Sequence, residues 1–184
     1  LLLPRVRFAL RLVSEALVVD AATKGVRWAM IRVLDVKAAD APPPSPPVEV
    51  DQVHCTFVPH VVIVAPGTNM VFLNSDKIAH NVHTVPLDGA NRPINHMMAA
   101  TDERLTVKER CLSEPEIIQV QCDIHAWMRG YIVVHDPRFA AISGADGRFE
   151  IKGVPAGRHK VSVFHETLGE RVLDVDIKSG QTMD

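Results

Sequence analysis

The sequence predicts an all-β protein whose main part is a β-sandwich or a barrel. Short runs rich in β-branched residues recur along the chain, and 13 prolines and 10 glycines separate them. Residues 41–47 read APPPSPP, which cannot join a sheet ladder and indicates an extended linker. Beyond this linker, strand candidates follow one another at the spacing typical of sandwiches. The candidates are 48–54, 61–65, 69–73, 80–84, 104–108, 116–122 and 130–135.

Other parts of the chain have weaker or different patterns. The stretch 86–103 has little periodicity, and we expect a long loop there. Residues 26–36 alternate with apolar side chains on both faces, which predicts a buried strand. After Pro137 the chain continues as a run of hairpins. The predicted divisions are an unassigned N-terminal arm or short helix at 1–25, a strand plus linker at 26–47, a main domain at 48–136 and a small β module at 137–184.

The strand at 26–36 has no evident partner before the proline-rich linker. We therefore hypothesise that it joins the hairpins after residue 137, so that the main domain is inserted into this module. Pairing of 26–36 with residues 159–178 would support the hypothesis, whereas pairing only within 48–136 would contradict it.

Composition narrows the range of functions. The chain has 184 residues, of which 47% are hydrophobic and 23% charged, and its net charge is −2. These values suit one or two compact domains. The sequence has no basic stripe of the kind that binds nucleic acid and no apolar run long enough to span a membrane. The first residue is leucine and not methionine, so we expect residues 1–4 to be either the remnant of a trimmed secretory signal or simply the first ordered segment.

The most informative stretch is C-x2-H-x2-M, formed by Cys122, His125 and Met128. Soft sulfur ligands with imidazole suit copper, and two histidines plus one cysteine with a weak axial methionine form an electron-transfer site. The second histidine must come from elsewhere, and His80 is the best candidate. Strand alternation places Cys122 at the inner end of one strand and His80 on the inner face of another. Asn81 is a candidate bridge between the two ligand segments, and zinc at the same residues is an alternative to copper.

Two further cysteines, Cys55 and Cys111, complete the count. If Cys122 binds metal, these two are free to form a disulfide, which would fit an oxidising compartment. Two buried thiols are the alternative, and the sequence does not distinguish the two cases.

The ligand motif, together with the segment from Asn74 to His83, resembles the cupredoxins, the small blue copper proteins. The ligand loop has amicyanin-like spacing. The resemblance implies a cupredoxin Greek-key β-sandwich over 48–136 that binds one type 1 copper ion through His80, Cys122, His125 and Met128. It also implies an apolar docking patch that includes Ala126 and Trp127.

Three segments, 51–60, 122–129 and 147–157, further resemble secreted bacterial methylamine-utilisation or plastocyanin-like proteins that carry a carboxypeptidase-regulatory-like β module. This resemblance implies a periplasmic or extracellular location.

The sequence bears on three classes of function. The leading one is an electron carrier that passes single electrons between redox partners, such as a cytochrome or a larger complex. A copper enzyme is disfavoured because multinuclear sites need several paired histidines, a binuclear site needs two cysteines in the ligand loop, and no C-x2-C-H haem motif is present. The remaining alternative is a structural or assembly subunit whose metal is structural or absent.

Overall fold

The computed structural model describes residues 16–36, 47–100, 104–108, 111–180 and 182. This part of the chain is almost entirely β, which confirms the predicted fold class, and it contains no α-helix. None of its helical segments has the length and apolarity that crossing a membrane requires. The strands are β1 Met30–Val33, β2 Val48–Val53, β3 Thr56–Val58, β4 Val61–Val64, β5 Met70–Asn74, β6 His80–Pro86, β7 Asn95–Met98, β8 Arg104–Val107, β9 Glu116–Gln121, β10 Arg129–Val134, β11 Ala140–Ile142, β12 Gly157–His165 and β13 Gly169–Ile177.

Two sheets form a β-sandwich. One has five strands in the order β4-β10-β9-β6-β7, and the other has four in the order β3-β2-β5-β8. The pairs β4–β10 and β2–β5 are parallel, and the remaining pairs are antiparallel. Alternation along the strands sends one set of apolar side chains inward, where they form a single buried cluster between the sheets. Phe72, Val82 and Ile132 are representative members.

A third sheet has the order β11-β1-β12-β13. Its strand β1 pairs antiparallel with β12, in a register that sets Met30 opposite Phe164 and Val33 opposite Val161. A pairing between residues 26–36 and 159–178 was the expected result if the main domain is inserted into the small β module. The sheet covers the outer face of the five-stranded sheet through a second buried cluster that includes Val61, Tyr131 and Met30.

Two differences from the sequence-based expectations concern local structure. Strand β7 lies inside 86–103, which was predicted to be a loop, and it pairs with β6 as an edge strand. Residues 1–15 of the predicted N-terminal arm lie outside the described residues. Residues 16–25 contain a turn and one isolated bridge, between Val19 and Val26, rather than a helix.

Candidate metal centre

His80 opens strand β6 at one end of the sandwich, with its side chain fully buried. Its neighbour two residues on, Val82, is also fully buried, so the two share the inner face of the strand. The ring is held from both sides. Its Nε2 lies 2.9 Å from Oδ2 of Asp76, and its Nδ1 lies 3.0 Å from Nδ1 of His125.

Cys122 follows strand β9 directly and is 2% exposed. The loop after it closes through backbone hydrogen bonds: Cys122 N donates to the Met128 carbonyl over 3.2 Å, and Met128 N donates to the His125 carbonyl over 2.9 Å. This closure brings His125 back over the cysteine, with 3.7 Å between its Nδ1 and the Cys122 Sγ. The structure thus brings His80, Cys122 and His125 to one place.

Cys55 is a fourth donor that the sequence analysis did not assign to the site. Its Sγ and one ring nitrogen each of His80 and His125 all lie within 4.8 Å of one another. Cys55 and His54 form the two-residue turn between β2 and β3, and both have positive φ angles, of 55° and 52°. Two successive left-handed residues are typical of a tight hairpin, where Asn-Gly is the usual pair. The thiol is therefore held by an uncommon backbone conformation.

Asp76 connects the two segments. Its carboxylate accepts hydrogen bonds from the backbone N–H groups of His54 and Cys55, each over 2.8 Å. The same carboxylate also contacts the His80 ring. Burial alone would raise the pKa of Asp76, but the hydrogen bonds from Cys55, His80 and His54 outweigh it and lower this pKa. An ionised Asp76 accepts a hydrogen bond from Nε2–H of His80, which leaves the lone pair of Nδ1 facing His125.

The charges around Cys55 act in the opposite direction. Burial raises the pKa of its thiol, and the nearby Asp76 carboxylate and Cys122 thiol raise it further. Without a cation, Cys55 is therefore a neutral thiol at neutral pH. A bound metal ion reverses this, since a coordinating thiol is deprotonated.

The spacing of the donors suits one metal ion. At the bond lengths known for zinc, a tetrahedral ion holds two imidazole nitrogens about 3.3 Å apart and a nitrogen and a thiolate sulfur about 3.6 Å apart. The corresponding distances are 3.0 Å between the two Nδ1 atoms and 3.7 Å from His125 Nδ1 to Cys122 Sγ. The side chains present therefore fit a first-row ion with soft and imidazole ligands.

Asn81 ties strand β6 to the ligand loop. Its Oδ1 accepts from the backbone N–H of Asp123 over 2.6 Å, and its Nδ2 donates to Oδ2 of Asp123 over 2.9 Å. His83 contacts the same carboxylate from the outer face at 2.9 Å. This network fixes the loop between Cys122 and His125 relative to β6.

The other predicted site residues are placed as follows. Met128 is 1% exposed and belongs to the core cluster between the sheets, and its role as axial ligand stays a prediction. The Cys55–Cys111 disulfide is not formed, because all three cysteines are free thiols. Cys55 lies beside the two histidines, whereas Cys111 is buried against the core and lines a separate pocket with Leu105.

The predicted docking patch is at the surface above the metal centre. Ala126 is exposed, Trp127 is 59% exposed, and the Trp127 ring lies 5.3 Å from the ring of His125. Two further apolar side chains of this end, Ile78 and Ile124, are also exposed. The half-buried His125 thus lies directly below apolar surface.

The architecture and the donor set together define a class: an all-β sandwich like that of the cupredoxins, with Cys55, His80 and His125 close enough at one end to share an ion and Cys122 beside His125. No protein-family model matches the chain, and no curated protein matches it.

Solved structures of cupredoxins do match. The purple cupredoxin from Nitrosopumilus maritimus is 18% identical, with a TM-score of 0.40, over 48% of this chain and 99% of that protein. A mutant of amicyanin in its oxidised state is 22% identical, with a TM-score of 0.42, over 48% of this chain and 82% of amicyanin.

A copper-containing nitrite reductase from Thermus scotoductus also matches. It is 25% identical, with a TM-score of 0.44, over 58% of this chain, and the matched part spans only 26% of the reductase. All of these TM-scores lie below 0.5, and the chemistry of the centre therefore rests on the side chains described above.

Proposed function

We propose that the protein carries single electrons on one type 1 copper ion, held by His80, Cys122 and His125 with Met128 as the weak axial ligand. The observation that carries this proposal is the meeting of two imidazole Nδ1 atoms and a buried thiol at one end of the sandwich. The ion would supply the reversible one-electron Cu(II)/Cu(I) change. The protein's own residues determine how easily that change occurs.

The scaffold supports fast electron transfer because the ligands have little freedom to move. His80 is fixed at the start of a central strand and by Asp76, and Cys122 is fixed at the end of its neighbour. The ligand loop is closed by its own backbone hydrogen bonds. Side chains locked by such secondary contacts keep the same positions in both oxidation states, so little reorganisation accompanies the electron.

The apolar surface above His125 is the proposed docking site for redox partners, which we expect to be a cytochrome or a larger complex. Trp127 and Ala126 lie nearest to the imidazole in the chain, and Ile124 and Ile78 extend the surface. Exposed apolar patches of this kind mark interaction sites. We place the protein in the periplasm or outside the cell, in line with the secreted proteins that it resembles.

We propose no reaction on a substrate. In the described part of the chain, a single group of three or more His, Cys, Asp or Glu side chains is close enough to share an ion. Multinuclear copper enzymes need more than one such group. A structural or assembly role is the alternative, and it predicts a centre that does not change oxidation state.

Colour and reduction test the proposal directly. Purified protein with Cu(II) should turn intensely blue, bleach with ascorbate and regain its colour on reoxidation. The Cys122→Ser variant should lose the band, whereas Cys111→Ser, which changes a buried thiol that lies apart from the two histidines, should keep it. A colourless protein that binds copper without redox change would favour the structural role.

The docking patch needs a separate test. The Trp127→Ala variant should keep the blue band and the reduction potential but react more slowly with an added cytochrome. Equal rates for the variant and the wild type would exclude this surface as the electron entry point.

A further inference from the structure

We propose that Cys55 binds the same metal ion, so that the centre has two thiolates, from Cys55 and Cys122, and two imidazoles, from His80 and His125. This inference rests on the proposed function, because it concerns the same centre, with the Cys55 thiolate in the place given there to the Met128 thioether. It differs from a one-cysteine copper site both in charge and in the chemistry of its donors.

Geometry is the first support. The Cys55 Sγ shares a 4.8 Å cluster with nitrogens of both histidines, and Cys122 Sγ lies 3.7 Å from His125 Nδ1. A tetrahedral ion places sulfur and nitrogen ligands about 3.6 Å apart, so the Cys55 Sγ lies within about 1 Å of the separation from both histidines that coordination requires. Small rotations of this size are available to a side chain at the tip of a hairpin.

The second support is the backbone of the turn. His54 and Cys55 both have positive φ, a conformation that is costly for residues with a Cβ and that persists where surrounding contacts impose it. Here Asp76 imposes it by accepting both backbone N–H groups. The same carboxylate contacts the His80 ring, so one side chain positions a thiol and an imidazole toward the same point.

Charge gives the third argument. A second thiolate adds one negative charge beside the ion, which favours Cu(II) over Cu(I) and lowers the reduction potential relative to a site with a neutral thioether. Two thiolates with two imidazoles also form a strong tetrahedral set for zinc or cobalt. A neutral thiol at Cys55 that is not bonded to the metal would have neither effect.

Cobalt substitution of the full chain tests the proposal, because sulfur-to-cobalt charge-transfer absorption increases with the number of cobalt–thiolate bonds. Cys55→Ser and Cys122→Ser should each lose about half of the near-ultraviolet intensity, and the double variant should lose all of it. Cys111→Ser is the matched control and should equal the wild type. In the copper form, Cys55→Ser should also raise the reduction potential.

The outcomes separate the two proposals. If Cys55→Ser retains the full cobalt band and the potential is unchanged, Cys55 is not a ligand, while the one-thiolate centre of the proposed function stands. If Cys55→Ser abolishes the band and Cys122→Ser leaves it intact, the two-thiolate site is wrong and the proposed ligand set fails with it.

Wild-type protein provides a test that does not depend on the folding of a variant. Iodoacetamide labelling followed by mass spectrometry should show Cys55 and Cys122 both protected when Co(II) is added, with Cys111 unchanged as the internal reference. Labelling of Cys55 at the same rate with and without Co(II) would overturn the proposal.

Discussion

Replacement of Asp76 by asparagine tests how far one carboxylate organises the metal centre. Oδ2 of Asp76 accepts from Cys55 N and from His80 Nε2, and Oδ1 accepts from His54 N. Asparagine keeps one oxygen and replaces the other by an NH2 group. Depending on the orientation of the amide, one or two of these hydrogen bonds are lost, and the new NH2 group faces an N–H donor.

The expected magnitude follows from those contacts. Hydrogen bonds to a charged acceptor contribute about 1.5–3 kcal/mol each, so the loss of one or two of them in Asp76→Asn should lower the free energy of unfolding of the metal-free protein by about 1.5–6 kcal/mol. Loss of the partner of a metal-binding histidine typically weakens metal affinity by about 10- to 100-fold. Both effects should appear together, because the same side chain supports the turn and the ring.

Urea denaturation of the metal-free protein and competition with a chelator of known affinity measure the two quantities. Asp51→Asn is the matched control, since Asp51 accepts hydrogen bonds from Ser75 in the adjacent loop. Among the contacts of the described residues, Asp51 touches neither His80 nor Cys55. If Asp76→Asn binds copper within twofold of the wild type, Asp76 does not position the ligands.

Three other predictions concern the scaffold. Burial lowers the pKa of His135, so the unfolded chain binds this proton more readily than the folded chain. Stability should therefore fall as the pH decreases from about 6.5, the ordinary pKa of histidine, toward the lower pKa of the folded state. His135→Gln should flatten that dependence in urea titrations at several pH values. Gly147 has a φ of +79°, and a Cβ at this position would lie 2.3 Å from a backbone carbon of the neighbouring loop. Gly153 has a similar φ of +71°, but a Cβ there would meet no atom within 4 Å. Gly147→Ala should therefore lower the melting temperature more than Gly153→Ala. Glu166 contacts the His60 ring at 2.7 Å in a buried pair between the third sheet and the sandwich. Glu166→Ala leaves the ring nitrogen without this partner and should lower the free energy of unfolding by about 1–3 kcal/mol in chemical denaturation. An unchanged midpoint would mean that this pair does not stabilise the contact.

Alternation and turn residues were sufficient to predict the central strands. Predicted strands at 116–122 and 130–135 correspond to Glu116–Gln121 and Arg129–Val134, because central strands must bury alternate side chains. Strand β7 was not predicted, for the opposite reason. Three of its four residues are exposed, and it is joined to the sheet at the edge by backbone pairing, which leaves no hydrophobic period in the sequence.

The proximity of Cys122 and His125 could be predicted because the two residues are close in sequence. Cys122 and His125 are separated by two residues, so a single tight loop brings them together whatever the rest of the fold does. His80 required one further inference, that Val82 faces the core, and burial of both residues agrees with it. In each case the relevant geometry is local or follows from strand alternation.

Cys55 could not be assigned in the same way, because its position depends on contacts that are distant in sequence. The two-residue turn at His54 and Cys55 lacks the Asn-Gly signature of such hairpins, so no local pattern indicates left-handed backbone there. That conformation depends on Asp76, more than twenty residues away, which accepts both N–H groups only once β2 and β5 have paired. The thiol at the tip of this turn is therefore placed beside His80 by a carboxylate that contacts both the turn and the His80 ring, and a short sequence pattern does not contain that arrangement.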